Sequence, residues 1–194
     1  MKNQRVIAIT GGIGAGKSVV SAILRVAGYQ VYDCDSRAKQ LMNTSPAIKQ
    51  SLTLRFGQST YKSDGTIDRT KLSATIFNDS ESLSFVNSVV HPVVKNDIDK
   101  WKKEMTDDKP VFIETAILKE SRLDTMVDAV WNVVAPLELR VARVIKRNNA
   151  TREQVLERIG NQTTELHCPK PVVNIINDGV TALLPQVITA FSMA

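Results

Sequence analysis

An apolar run, Val6-Ile7-Ala8-Ile9, leads directly into Gly11-Gly12-Ile13-Gly14-Ala15-Gly16-Lys17-Ser18. The spacing is G-x-x-x-x-G-K-S, and an apolar helical stretch, Val19-Val20-Ser21-Ala22-Ile23-Leu24, follows it. A strand must therefore end and a helix begin within a few residues. Glycines allow the backbone angles such a bend demands. Successive N–H groups then face inward at a helix N-terminus, where they cradle phosphate oxygens. The sequence thus predicts a phosphate-binding P-loop, with Gly12, Ile13, Gly14, Ala15, Gly16, Lys17 and Ser18 around a nucleoside triphosphate. In such a loop the lysine serves the β- and γ-phosphates and the Ser18 hydroxyl is the ligand for Mg²⁺.

Gly28 fits the end of the first helix, and Tyr29-Gln30-Val31-Tyr32 reads as a second strand closing in Asp33-Cys34-Asp35. Strand, helix, strand is a right-handed unit of a parallel sheet, and ligands of such sheets sit beyond the carboxyl ends of the strands. Asp33 and Asp35 fall at that edge, on one side if the strand conformation persists. Either they carry chemistry, one accepting a proton and the other holding Mg²⁺ through water, or they cap the next helix. With 194 residues, one domain with insertions is expected. A net charge of +5, spread along the chain, suits a polyanionic ligand, while 5% aromatic content offers no base-stacking platform for nucleic acid. No apolar run approaches a membrane span. Cys34 and Cys168 lack metal-ligand spacing and read as reduced thiols, as in a cytoplasmic protein.

Residues 36–105 read as helices without a convincing strand. Ser45-Pro46 opens one helix, Asp68 caps another running to Phe77, and Ser80 caps a third towards Val90. His91-Pro92 is expected to break that helix, since proline disfavours a helical residue before it. His91 is either a structural histidine or a substrate contact. Val111-Phe112-Ile113 is the third strand and ends in Glu114, which is either metal-associated or a cap; Ala129–Val134 is the fourth. Leu137 to Asn148 carries Arg140, Arg143 and Arg147 on one helical face. Thr151 to Gln154 fits a capping box, and Gln162 is assigned to that second helix. Beside a P-loop, this basic helix pair reads as a lid that neutralises charge during phosphoryl transfer. Val172–Ile176 is the fifth strand, Asn177-Asp178-Gly179 a turn whose Asn177 either contacts the nucleobase or merely turns the chain, and Val180 to Met193 the last helix.

Taken together, these residues resemble the dephospho-CoA kinase family over nearly the whole chain. The resemblance rests on Thr10 to Ser18, on Val31, Asp33 and Asp35, and on His91-Pro92 with Val94. It also rests on Arg140, Arg143, Arg147, Gln162, Ile175, Asn177 and Gly179. It implies an α/β, three-layer P-loop kinase fold: a five-stranded parallel sheet (residues 1–35, 106–136 and 171–194), a helical acceptor-binding insert (36–105) and a helical lid (137–170). It implies transfer of the ATP γ-phosphoryl group to the ribose 3′-hydroxyl of dephospho-CoA with Mg²⁺, by a monomer or weak homo-oligomer. On this resemblance Asp35 is the general base, and Asp33 beside it and His91 bind substrate. The chain departs from the family at Ala116-Ile117-Leu118-Lys119-Glu120, where a proline commonly begins the run. Another small acceptor is argued against by the D-x-D segment and the His91-Pro92 junction. A GTPase is argued against by the lack of N-K-x-D.

Overall fold

The computed structural model describes residues 4–77, 79–162 and 168–193. The chain divides into two compact units, one of residues Met1–Asp33 with Asp107–Ala194, the other Cys34–Thr106.

The first unit is built on five parallel strands, β1 (Val6–Thr10), β2 (Val31–Asp33), β3 (Val111–Glu114), β4 (Ala129–Val134) and β5 (Val172–Ile176), in the order β2-β3-β1-β4-β5. All five residues of β1 are buried. Such continuous apolarity belongs to a strand with neighbours on both sides and both faces covered. Its register sets Ile9 beside Glu114 of β3 and Trp131 of β4. Helix α1 (Lys17–Val26) packs on this sheet, and Gly28, at φ +83°, follows its end as expected. Trp131, fully buried, lies 5.0 Å from Phe112 and 5.1 Å from Phe191, ring centroid to centroid. Because the strands are parallel, Thr10, Asp33, Glu114, Val134 and Ile176 all end at one edge of the sheet.

The second unit contains α2 (Cys34–Thr44), α3 (Pro46–Phe56), α4 (Arg69–Phe77) and α5 (Ser80–Lys103). Ser45 caps α3, and Asp68 accepts from Lys71 N–H at the start of α4. A paired Arg37–Asp97 contact, at 2.7 and 2.9 Å, joins α2 to α5. An isolated antiparallel bridge, Tyr61 to Ile67, frames the turn at Ser63-Asp64-Gly65.

The structure corrects four expectations. First, β2 stops at Asp33 and α2 starts at Cys34, so Asp35 lies in the first helical turn and shares no strand face with Asp33. Second, α5 is capped by Asp79 and runs unbroken through His91 and Pro92. Buried Val86, Val90, Val94 and Ile98, spaced by four, continue one apolar stripe across the proline, and burial of that stripe outweighs one lost N–H. Third, the last helix, α8, spans Leu183–Met193. The Asp178 carboxylate accepts from the N–H groups of Val180 and Thr181 and from the Thr181 hydroxyl, which holds residues 178–181 as a turn. Fourth, α7 (Arg152–Gly160), which follows α6 (Leu137–Asn148), ends before Gln162.

Pro92 is exposed, so replacing it removes little packing while restoring a helical N–H. Pro92→Ala is expected to raise the unfolding free energy by about 1–3 kcal/mol. Equilibrium urea unfolding followed by far-ultraviolet circular dichroism measures this, and an unchanged or lower midpoint contradicts it.

Candidate active site

The glycine loop after β1 behaves as its spacing requires. Gly16, at φ +99°, begins α1 and places Lys17 and Ser18 in its first turn. A Cβ on Gly16 would collide with the side-chain amide nitrogen of Asn177, and one on Gly12 would collide with the Arg140 guanidinium. The loop is therefore glycine-rich for close approach as well as for backbone angle. The Lys17 ammonium donates to the carbonyls of Gly11 at 2.8 Å and Gly12 at 3.4 Å. The Ser18 hydroxyl lies on an exposed residue.

Helix α6 brings its arginines to different places. Arg140 Nε donates to the Ile13 carbonyl at 2.9 Å, and burial pulls its pKa below the ordinary arginine value. Arg143 donates to the Asn177 carbonyl and side-chain oxygen, both at 3.1 Å, with longer contacts of 3.5 Å to Gly14 and Ala15. Arg147 is exposed and donates to the Asn148 side chain. Asn177 is buried beneath the loop. Its amide nitrogen donates to the Ala15 carbonyl at 2.8 Å, and its N–H donates to Val134 at 2.8 Å. Both ends of its amide are thus engaged within the chain, so its side chain braces the loop.

The α6–α7 pair has its own small core of Val141, Val144, Val155 and Ile159, and Ile13 of the loop packs against it. The capping box at Thr151 and Gln154 is formed as the sequence predicts, and Glu138 and Arg152 pair across the two helices at 2.8 Å. Gln162 accepts from the Ile13 N–H at 2.7 Å. A bond spanning that much chain carries no periodic or local signal, which is why sequence reasoning gave Gln162 no site role. Thr10, Gly11, Gly12, Asn132, Arg140 and Gln162 are among the residues lining a cleft of about 190 Å³.

At the edge of the sheet, Asp33 and Glu114 are in register on β2 and β3. Burial is the main cause that raises the Glu114 pKa, and the Asp33 charge adds to it. The buried Ser21 hydroxyl, which falls short of strict hydrogen-bond geometry, partly offsets this, as do the charges of Lys17 and Arg25. Asp35 and His91 belong to the second unit, on α2 and α5. Among the described residues no cluster of three or more His, Cys, Asp or Glu side chains is arranged to hold a metal by itself.

The family model for dephospho-CoA kinase matches residues 5–179. The chain belongs to the dephospho-CoA kinase family. The dephospho-CoA kinases of Bacteroides fragilis (strain YCH46) and Porphyromonas gingivalis are each 40% identical to it; both matches cover 94% of this chain, and 89% and 90% of those proteins. A solved protein from Thermus thermophilus superimposes with a TM-score of 0.80 at 31% identity, over 98% of this chain and 96% of that one. The dephospho-CoA kinase of Campylobacter jejuni shares the fold, with a TM-score of 0.68 at 20% identity over 96% and 95% of the two chains. Membership of the family makes this chain a kinase with an alcohol acceptor and ATP as co-substrate.

Two outcomes follow. Gly16→Ala combines a strained φ with displacement of Asn177, and should weaken ADP binding about tenfold or more, read by titration with a fluorescent analogue. Binding within twofold, on the order expected of a neutral surface change, would contradict the close-approach argument. Glu114 has a folded-state pKa above its unfolded value. Its contribution to stability is therefore fully present below the unfolded pKa and is lost as pH rises through the folded one. Glu114→Gln should accordingly gain stability over the parent as pH rises from acid to neutral, with no gain at the acid end. A gain independent of pH in parallel denaturation curves would rule that origin out.

Proposed function

We propose that the chain transfers the γ-phosphoryl group of ATP to the ribose 3′-hydroxyl of dephospho-CoA, giving coenzyme A and ADP. The observation that carries this reading is the extent of the family match, residues 5–179, which takes in the loop, the helical unit and the arginine helix together. In this reading Ile13 lines the phosphate loop with its N–H held by Gln162, the N–H groups of residues 14–18 and Lys17 hold the phosphates, and Arg140, Arg143 and Arg147 contribute positive charge as transfer proceeds. Residues 36–105 are the acceptor-binding insert, with His91 a substrate contact, and residues 137–170 are the lid, of which 163–167 lie outside the described residues.

The two aspartates divide between the units. Asp35, in the first turn of α2, takes the 3′-hydroxyl proton as that oxygen attacks phosphorus and the bond to the ADP oxygen breaks. Asp33 ends β2 within the nucleotide unit, in register with Glu114. Hard oxygen donors of this kind, with the Ser18 hydroxyl, suit Mg²⁺, and their mutual repulsion favours a cation between them and the phosphates. Mg²⁺ held there would supply positive charge that offsets that of the phosphates. A cytoplasmic monomer or weak homo-oligomer completes the proposal; among the described residues no helix is long and apolar enough to cross a membrane.

A coupled ADP-release assay with ATP and Mg²⁺ tests the reading, comparing dephospho-CoA with AMP, CMP and shikimate. Turnover on dephospho-CoA in preference to the others is expected, and none on dephospho-CoA sinks it. Asp35→Asn should lower kcat by about 10²-fold or more while nucleotide affinity stays nearly intact. Full turnover in that variant would remove Asp35 as the base.

A further inference from the structure

Ile13 is held from three directions. Its N–H donates to Gln162 Oε1 at 2.7 Å, and its carbonyl accepts from Arg140 Nε at 2.9 Å. Its side chain packs against the Val141, Val144, Val155 and Ile159 core of the α6–α7 pair. The residues on either side are glycines, and Gly14 sits at φ +78°. This is the part of the loop with the greatest intrinsic freedom. It is also the part beside Gly11 and Gly12, whose carbonyls receive the ammonium of Lys17, the group that serves the β- and γ-phosphates.

We propose that Gln162 is a positioning residue for phosphoryl transfer: by capturing the Ile13 N–H it fixes the apex of the phosphate loop and ties that apex to the segment leaving α7. The proposal rests on the kinase reading above and assigns a task to a residue that reading leaves idle. A leucine at 162 would fill similar volume but leave the Ile13 N–H, in a partly buried place, without its acceptor. A glutamate would keep an acceptor oxygen at the same reach. The N–H groups of residues 14–18 and Lys17 do not depend on Gln162, so nucleotide is still bound when Gln162 is lost. What is lost is the alignment of the terminal phosphoryl group, and the cost falls on kcat rather than on ATP affinity.

The test compares Gln162→Leu, Gln162→Ala and Gln162→Glu with the full-length parent. Gln162→Leu and Gln162→Ala should lower kcat about tenfold or more, with KM for ATP within about threefold. Gln162→Glu should recover most of the loss. The ¹H–¹⁵N resonance of Ile13 should move upfield in the leucine variant and return towards its parent position in the glutamate variant. Should Gln162→Leu fail to fold, Gln162→Asn, whose oxygen lies one methylene short, takes its place. A kcat within about twofold of the parent for the leucine variant overturns the proposal. So does a glutamate variant no better than leucine, or an Ile13 resonance unmoved by either. The Ile13 resonance and the affinity for a non-hydrolysable ATP analogue need no acceptor. An inactive parent enzyme on dephospho-CoA therefore refutes the functional reading alone, and the spectral comparison still decides the role of Gln162.

Discussion

A loop that turns its N–H groups inward onto phosphate must turn its carbonyls outward. Each outward carbonyl in a partly buried place needs a donor, since an unpaired one costs about 1–3 kcal/mol. This requirement organises the first unit. Lys17 serves Gly11 and Gly12, Arg140 serves Ile13, and Asn177 serves Ala15. The donors come from the loop's own helix, from α6 and from the end of β5. The cradle is thus assembled by elements that the sheet order brings together, and β1 lies at its centre with β4 and β5 on the side that leads to α6 and Asn177.

Neutral donors would satisfy the same carbonyls. Two of the four groups that contact them from outside the glycines are arginines and one is a lysine, so the pairing also concentrates positive charge around an anion site without an unpaired buried cation. The neutral members take the positions where an acceptor or a second function is needed. Asn177 donates to the loop while accepting from Arg143, and Gln162 accepts from Ile13. The arginine stripe read from spacing therefore splits in the structure. Arg140 and Arg143 are anchored to the loop and to Asn177, and Arg147 is exposed at the end of its helix.

What the chain writes locally was legible before any coordinates. Glycine spacing fixed the loop, Thr151 and Gln154 announced a capping box, and apolar runs marked β4 and β5 to the residue. Local rules misled where tertiary burial competes with them. Pro92 argues for a break, yet the Val86 to Ile98 stripe on either side demands one helix. The D-x-D segment suggested two carboxylates on one strand face, but helix α2 begins between them. Long-range polar bonds have no local signature in the sequence, even where their residues stand out. Gln162 to Ile13 and Asn177 to Ala15 connect residues with no shared periodicity, so the bracing of the site had to come from the structure.

The break between Asp33 and Asp35 divides the D-x-D segment between the two units. A parallel sheet presents its ligand edge at the carboxyl ends of its strands. The second unit follows β2 directly in the chain, with α2 starting at Cys34. Asp33 stays with the sheet, against Glu114, in a place where burial and like charge disfavour two carboxylates. Asp35 opens the helical unit and is exposed, free of that burial. Ionising the half-buried Glu114 at the sheet edge costs stability as pH rises.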